Sequence, residues 1–286
     1  MKQRTANQKR LLLIAFAALA LLLGLLIWQG VRRGDAARVG IPHSAAASGA
    51  AMLLQSPAAQ YSCAVGSTAQ VLAAALEKGD LDAALLPAQL ASGMDGVEIR
   101  AVVGYTPLVI LSEQPEINRL DDLAGCTLTL DEGLQNTPED RALRALLDAA
   151  EVRCTLVYGA SGDPFACSLD AAAKLNTPIR FSLSKAWRQS LGSLPPAGLC
   201  LAVRQDYLAQ AGTDFDAFER ALKSAMAYGA DKRKKTVAMA AAAGLAPDED
   251  TADRLYPFCD FVYLTGAEMR AALQAGAGNF NKELSE

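Results

Sequence analysis

Cysteine is missing from the first sixty residues, histidine occurs once, at His43, and no Cys-x-x-Cys pair is present anywhere in the 286 residues. The first absence excludes a lipid-attachment cysteine just after an N-terminal apolar run. The second leaves His43 as the one base on which a histidine-dependent triad could be built, and no Gly-x-Ser-x-Gly elbow accompanies it. The third argues against a structural zinc site. A Walker loop and a dinucleotide fingerprint are also absent, which removes the common nucleotide-handling classes. Dense positive charge is scarce: 27 Lys and Arg stand against 31 Asp and Glu, for a formal net charge of −4. Binding to nucleic acid runs on clustered Lys and Arg, so no nucleic-acid partner is expected. The one basic stretch, "DKRKK" at 231–235, lies between alanine-rich helical stretches and reads as a solvated helix face or end.

What is present begins with residues 11–28, an apolar run with no charge. At about 1.5 Å rise per residue it nearly spans a hydrocarbon core of about 30 Å. A secretory h-region is shorter, about 7 to 15 residues, and ends in small residues. This run is followed instead by Gln29, Arg32 and Arg33, so an uncleaved signal anchor is expected. Lys2, Arg4, Lys9 and Arg10 place residues 1–10 in the cytoplasm by the positive-inside rule. Residues 29–37 are then a linker, and the body faces the extracytoplasmic side of the cell membrane.

The body is globular by composition, with 51% hydrophobic and 20% charged residues. Apolar stretches of strand length alternate with Ala- and Leu-rich helical stretches, the α/β pattern of a parallel sheet covered by helices. Strands are expected near 38–41, 61–65, 83–86, 99–103, 109–111, 127–130, 155–158, 179–183 and 199–203. Residues 207–245 read as almost wholly helical, broken at Gly229 and Gly244. A last helix opens at "TGAEMRAALQ", where Thr265 and Glu268 match the capping box.

Ligands of such sheets bind at the carboxyl ends of strands, beside helix N-termini. The loops expected there are "PHSAAASGAA", "GSTAQ", "PAQLAS", "GYTP" and "DEGLQNTPEDRAL", rich in hydroxyls, amides and small residues. The candidate ligand-binding residues are His43, Ser44, Ser67, Thr68, Gln89, Tyr105 and Thr106 from the first part of the body, with Asn136 and Thr137 from the second. Any single Ser or Thr before a helix also serves as a cap, and a lone His is also an ordinary polar loop residue. Tyr105, Phe165 and Trp187 are candidates to stack on a flat heterocycle, against the alternative that they are core. The loops of the first part hold no Lys or Arg, so a small neutral or aromatic organic solute is favoured.

The body resembles the solute-binding proteins of ABC transporters, in the group for nitrate, sulfonate, taurine and thiamine-pyrimidine precursors. The matching segments are "LEKGDLDAALLP", "INRLDDLAGCTLTL", "TPEDRALRALLDAAEVRCTLVYG", "AGLCLAVRQDYL" and "LYPFCDFVYLTGAEMRAAL", loose one by one but ordered and spaced as in the family. The resemblance implies a two-lobed, type II periplasmic binding protein-like fold, with lobe 1 from 38–109 and 205–286 and lobe 2 from 110–204. It also implies capture of a small molecule by hinge closure, ABC permease subunits as partners, no cofactor and no catalysis. A related fungal pyrimidine synthase is an enzyme on this fold, but its cysteine-rich motif is missing here.

One departure stands out. Between "CTLVYG" and "IRFSL" the chain offers one helix where the family has two helices with a strand between. The second lobe is therefore expected to be shortened by a strand, with Asp163-Pro164-Phe165 as its remnant. That departure keeps open an alternative, a binding-protein-like module for interaction or sensing that no longer transports.

The six cysteines, Cys63, Cys126, Cys154, Cys167, Cys200 and Cys259, are small buried hydrophobes or partners in disulfides. Cys126 and Cys154 open strands joined by one helix. A right-handed crossover makes such strands parallel neighbours about 4.8 Å apart, so this pair is the expected disulfide.

Overall fold

The computed structural model describes residues 36–55, 58–211 and 214–276. The expected membrane segment, residues 11–28, lies outside them; among the described residues no helix is long and apolar enough to cross a membrane. Ten strands form two five-stranded sheets. The first holds β1 (Ala37–Pro42), β2 (Tyr61–Gly66), β3 (Ala83–Pro87), β4 (Val97–Tyr105) and β10 (Ala197–Arg204), in the order β2-β1-β3-β10-β4. The second holds β5 (Leu108–Leu111), β6 (Thr127–Asp131), β7 (Thr155–Gly159), β8 (Phe165–Ser168) and β9 (Ile179–Ser182), in the order β7-β6-β8-β5-β9.

The two orders are one topology used twice. β1 runs parallel to β2 and β3, as β6 does to β7 and β8. β10 is antiparallel to β3 and β4, as β5 is to β8 and β9. Each sheet is thus mixed, where a wholly parallel one was expected. The reason is that the chain crosses between sheets twice, and a crossing strand enters its new sheet from the far side. Leu108 and Val109 lie in the second sheet, and residues 197–204 form β10 of the first.

The nine expected strands are all present, and β8 is a tenth that the sequence reading missed. Phe165, Ala166 and Cys167 are fully enclosed between β6 and β5, so the second sheet lacks no strand. What it lacks is a helix. β2 reaches β3 through α2 (Ala69–Lys78), after α1 (Ala51–Gln55), whereas β7 reaches β8 through residues 160–164 alone. That short loop lies flat on β6: a Cβ on Gly162 would come within 2.1 Å of Thr129 Oγ1.

The remaining helices are α3 (Ala88–Ser92), α4 (Pro138–Ala149), α5 (Leu169–Ala172), α6 (Leu183–Leu191), α7 (Gln205–Ala211), α8 (Asp214–Asp231), α9 (Arg233–Ala242), α10 (Glu249–Leu255) and α11 (Gly266–Gly276). Gly229 sits inside α8 and does not break it as expected. A side chain there would meet Gly49 Cα at 3.1 Å, so this glycine allows close packing of two backbones. Residues 231–235 are exposed along the junction of α8 and α9, as a solvated helix end requires.

Candidate ligand cleft

The carboxyl ends of the two sheets face each other. Asp170, just after β8, accepts the backbone N–H of Ala45, just after β1, at 2.9 Å. Arg141 Nη2, in the first turn of the helix after β6, donates to Gln89 Oε1, just after β3, at 3.3 Å. Both contacts join the start of a helical turn after a strand of one sheet to the start of a helix after a strand of the other.

The two sides of this junction differ in what lies beside them. Next to Asp170, a single apolar cluster runs through both sheets' elements: Ala45 and Leu255 pack with Val109, Leu111, Phe165, Cys167, Leu169 and Ala172. Arg254 adds hydrogen bonds from Nη2 to the carbonyls of Ala172 and Ala173, at 3.2 and 3.1 Å. Next to Arg141 there is instead a cavity of about 490 Å³. Its walls are Ala88, Gln89 and Ser92 of α3 against Pro138, Glu139 and Arg141 of α4. Thr106, Pro196 and Gly198 line it where the two crossing segments meet, and Leu273 of α11 adds an apolar side.

The crossing segments are themselves in close contact. Thr106 donates its N–H to Pro196 O at 2.9 Å and its hydroxyl to the same carbonyl at 3.2 Å. A Cβ on Gly198 would sit 2.2 Å from Tyr105 O, so only glycine permits this approach.

Of the nine candidate ligand residues, Gln89 and Thr106 line the cavity. Three of the others use their hydroxyls as helix caps. Ser44 Oγ accepts from Ala46 N at 3.2 Å, Thr68 Oγ1 from Val71 N at 3.2 Å and Thr137 Oγ1 from Asp140 N at 3.3 Å. Each satisfies an N–H that the first helical turn leaves free. His43 and Ser67 are exposed at the ends of β1 and β2, and the His43 N–H donates to Gly66 O at 2.9 Å. Asn136 is exposed with φ +62, and its carbonyl accepts from Arg141 Nη1 at 2.9 Å.

None of the candidate stacking aromatics is open to a ligand. Tyr105, Phe165 and Trp187 are all buried. The Arg188 guanidinium lies 5.4 Å from the Tyr105 ring centroid, and burial pushes the Tyr105 hydroxyl pKa up.

The sequence reading missed Arg141, Glu139 and Asp170. Arg141 follows the cap Thr137 by four residues, which returns it to the cap's side of the helix one turn on. That spacing was available in "TPEDRAL". Among the described residues no carboxylate pairs with Arg141; its partners are the neutral oxygens of Asn136 and Gln89.

A second polar cluster stands beside α4. Tyr158 Oη donates to Asp140 Oδ2 at 2.6 Å, and Arg144 Nε donates to Asp140 Oδ1 at 2.8 Å. Asp140 is buried, and the cluster ties the end of β7 to the start of α4. Cys126 and Cys154, the expected disulfide, are free thiols, as are the other four cysteines.

The sequence matches no protein-family model and no curated protein. Solved structures of ABC-transporter solute-binding proteins match the fold. An ABC transporter protein from Parabacteroides distasonis aligns with a TM-score of 0.65 at 16% identity, covering 85% of this chain and 90% of that one. The alkanesulfonate-binding protein SsuA from Xanthomonas axonopodis pv. citri, bound to MOPS, aligns with a TM-score of 0.56 at 15% identity, covering 85% and 91%. The periplasmic nitrate-binding protein NrtA from Synechocystis PCC 6803 aligns with a TM-score of 0.52 at 12% identity, covering 82% and 74%. The fold is therefore the one these solute-binding proteins share.

Proposed function

We propose that the chain is the extracytoplasmic solute-binding component of an ABC importer, taking a small organic molecule between two lobes that close about the crossing segments. The observation that carries this reading is the cavity of about 490 Å³ where the carboxyl ends of the two sheets meet. Small-molecule sites commonly occupy about 300 to 1,000 Å³ and combine apolar walls with a few fixed polar groups. Here Pro87, Leu90 and Leu273 supply apolar surface, and Gln89, Thr106 and Arg141 supply hydrogen-bonding groups.

Lobe 1 is the first sheet with its helices and lobe 2 is the second. Residues 105–107 and 196–198 are the hinge, and the closed form is what the permease subunits recognise. Residues 11–28 tether the body to the membrane. Binding and release account for the whole activity, with no catalytic step and no cofactor. The expectation of a neutral or aromatic solute rested on the lack of cations in the first-lobe loops. Arg141 brings a cation from the second lobe, so solutes carrying a carboxylate or sulfonate belong in the test.

Thermal unfolding against a panel of alkanesulfonates, nitrate, pyrimidines and aromatic acids provides it. A ligand at a hundred times its dissociation constant adds about 2.7 kcal/mol to stability. A rise in Tm with one class, lost in Arg141→Ala or Gln89→Ala, supports the reading. A panel without any shift, or a shift that both variants retain, removes this cavity as the site.

A further inference from the structure

We propose that Cys126 and Cys154 form a reversible disulfide that staples the β6-α4-β7 unit, the part of the second sheet that carries Asn136, Thr137 and Arg141. The inference is independent of the solute, because it rests on strand register alone.

β6 and β7 pair in parallel with Thr127 opposite Thr155, Leu128 opposite Leu156 and Thr129 opposite Val157. The residues just before the ladder are Cys126 and Cys154. Backbone hydrogen bonds bracket them on both sides: Gly125 N donates to Arg153 O at 2.8 Å, and Thr155 N donates to Cys126 O at 2.9 Å. The register therefore continues past the strand ends without slipping by a residue. Side chains alternate along a strand, so Cys126 shares a face with Leu128 and Leu130, and Cys154 with Leu156 and Tyr158. Both thiols accordingly pack against the same apolar cluster. Adjacent strands stand about 4.8 Å apart, inside the Cα separation of about 4.4 to 6.8 Å that a disulfide spans. The Cys154 thiol also senses its neighbour: burial and then Cys126 push it up.

Both cysteines are partly exposed, whereas Cys167 and Cys200 are buried. A small-molecule disulfide such as oxidised glutathione can reach the pair. One cysteine thiolate attacks a glutathione sulfur, releasing one glutathione thiolate and leaving a mixed disulfide. The second cysteine thiolate then attacks the protein sulfur of that mixed disulfide and releases the other glutathione. Two protein thiols are oxidised, one glutathione disulfide is reduced to two thiols, and the two protons pass to the leaving thiolates.

The test exposes the full chain to oxidised glutathione at about pH 8, where ordinary thiols are partly ionised, then blocks remaining thiols and maps peptides without reductant. The expected product has lost two hydrogens, carries no glutathione and contains a linked peptide joining Cys126 to Cys154. Its Tm rises by about 5 to 10 °C over the reduced protein. Cys126→Ser and Cys154→Ser should each trap glutathione on the remaining partner and show no such rise. Glutathione on both cysteines of the unaltered chain, a link to any other cysteine, or two thiols still free after prolonged exposure each overturns the proposal.

Discussion

Asp170 Oδ1 accepts the buried N–H of Ala45 at 2.9 Å, so a carboxylate of the second sheet closes the start of the first helical turn of the first. Its topological counterpart is the 3.3 Å contact between Arg141 and Gln89. The pair of contacts follows from one topology used twice, but the first is backed by shared apolar core and the second borders a cavity. The two sheets are therefore joined unequally at these two contacts.

Removing the Asp170 acceptor tests the stronger side. Asp170→Ala leaves the N–H of a buried residue without a partner, at a cost of about 1 to 3 kcal/mol. Asp170→Asn keeps an accepting oxygen and should lose less. Urea midpoints for both variants, with hydrogen exchange at the Ala45 amide, read this directly; equal losses would show that the accepting oxygen is not what matters.

Comparison of Leu255→Ala with Gln89→Ala measures the asymmetry. Leu255 is 1% exposed and packs into the cluster that spans both sheets, so truncation should cost about 2 to 5 kcal/mol. Gln89 is exposed and should change stability by less than about 0.5 kcal/mol. Comparable losses in chemical unfolding would contradict a junction held chiefly at one side.

Tyr158→Phe probes the cluster beside α4. The substitution removes one of two donors to the buried Asp140 carboxylate. Hydrogen bonds to charged groups contribute about 1.5 to 3 kcal/mol, and a loss in that range is expected at neutral pH. A neutral outcome by urea denaturation would mean that Arg144 alone satisfies the carboxylate.

Alkaline pH should destabilise the protein well before its arginines titrate. Burial pushes the thiols of Cys63, Cys167 and Cys200 up to about 12, and Tyr263 also rises to about 12. The unfolded chain releases thiol protons from about pH 8.5, while the folded chain holds them until about 12. Stability is therefore full below about pH 8.5 and falls as pH rises toward 12, because the unfolded state then binds fewer protons. Urea midpoints between pH 8 and 11 should decline, and Cys200→Ala should make the decline shallower.

Nine strands were legible because each is a mainly apolar run bounded by turn residues, most plainly in inner strands such as β3 and β5, which are buried on both sheet faces. β8 was not. "FACS" is four residues long, follows Pro164 and runs into "LDAAAKL", so local pattern reads it as part of a helix. It is a strand because the slot between β6 and β5 offers backbone partners on both sides. Gly229 was read as a helix break for the same kind of reason, since its role depends on Gly49, far away in the chain.

The site divides in the same way. Ser44, Thr68 and Thr137 stand before helices in the sequence, and their local order suffices for capping, whatever else surrounds them. Whether a side chain lines a cavity depends on what the chain places opposite. The sequence alone settled nine of the ten strands, the caps and the adjacency of Cys126 and Cys154, all of which follow from neighbours along the chain or from a single crossover. Tertiary structure decided that Asp170 meets Ala45, that Arg141 meets Gln89 and that the cavity of about 490 Å³ borders the second contact. Those facts depend on two chain crossings and on packing between residues 125 and 52 positions apart, where each partner's pattern is silent about the other.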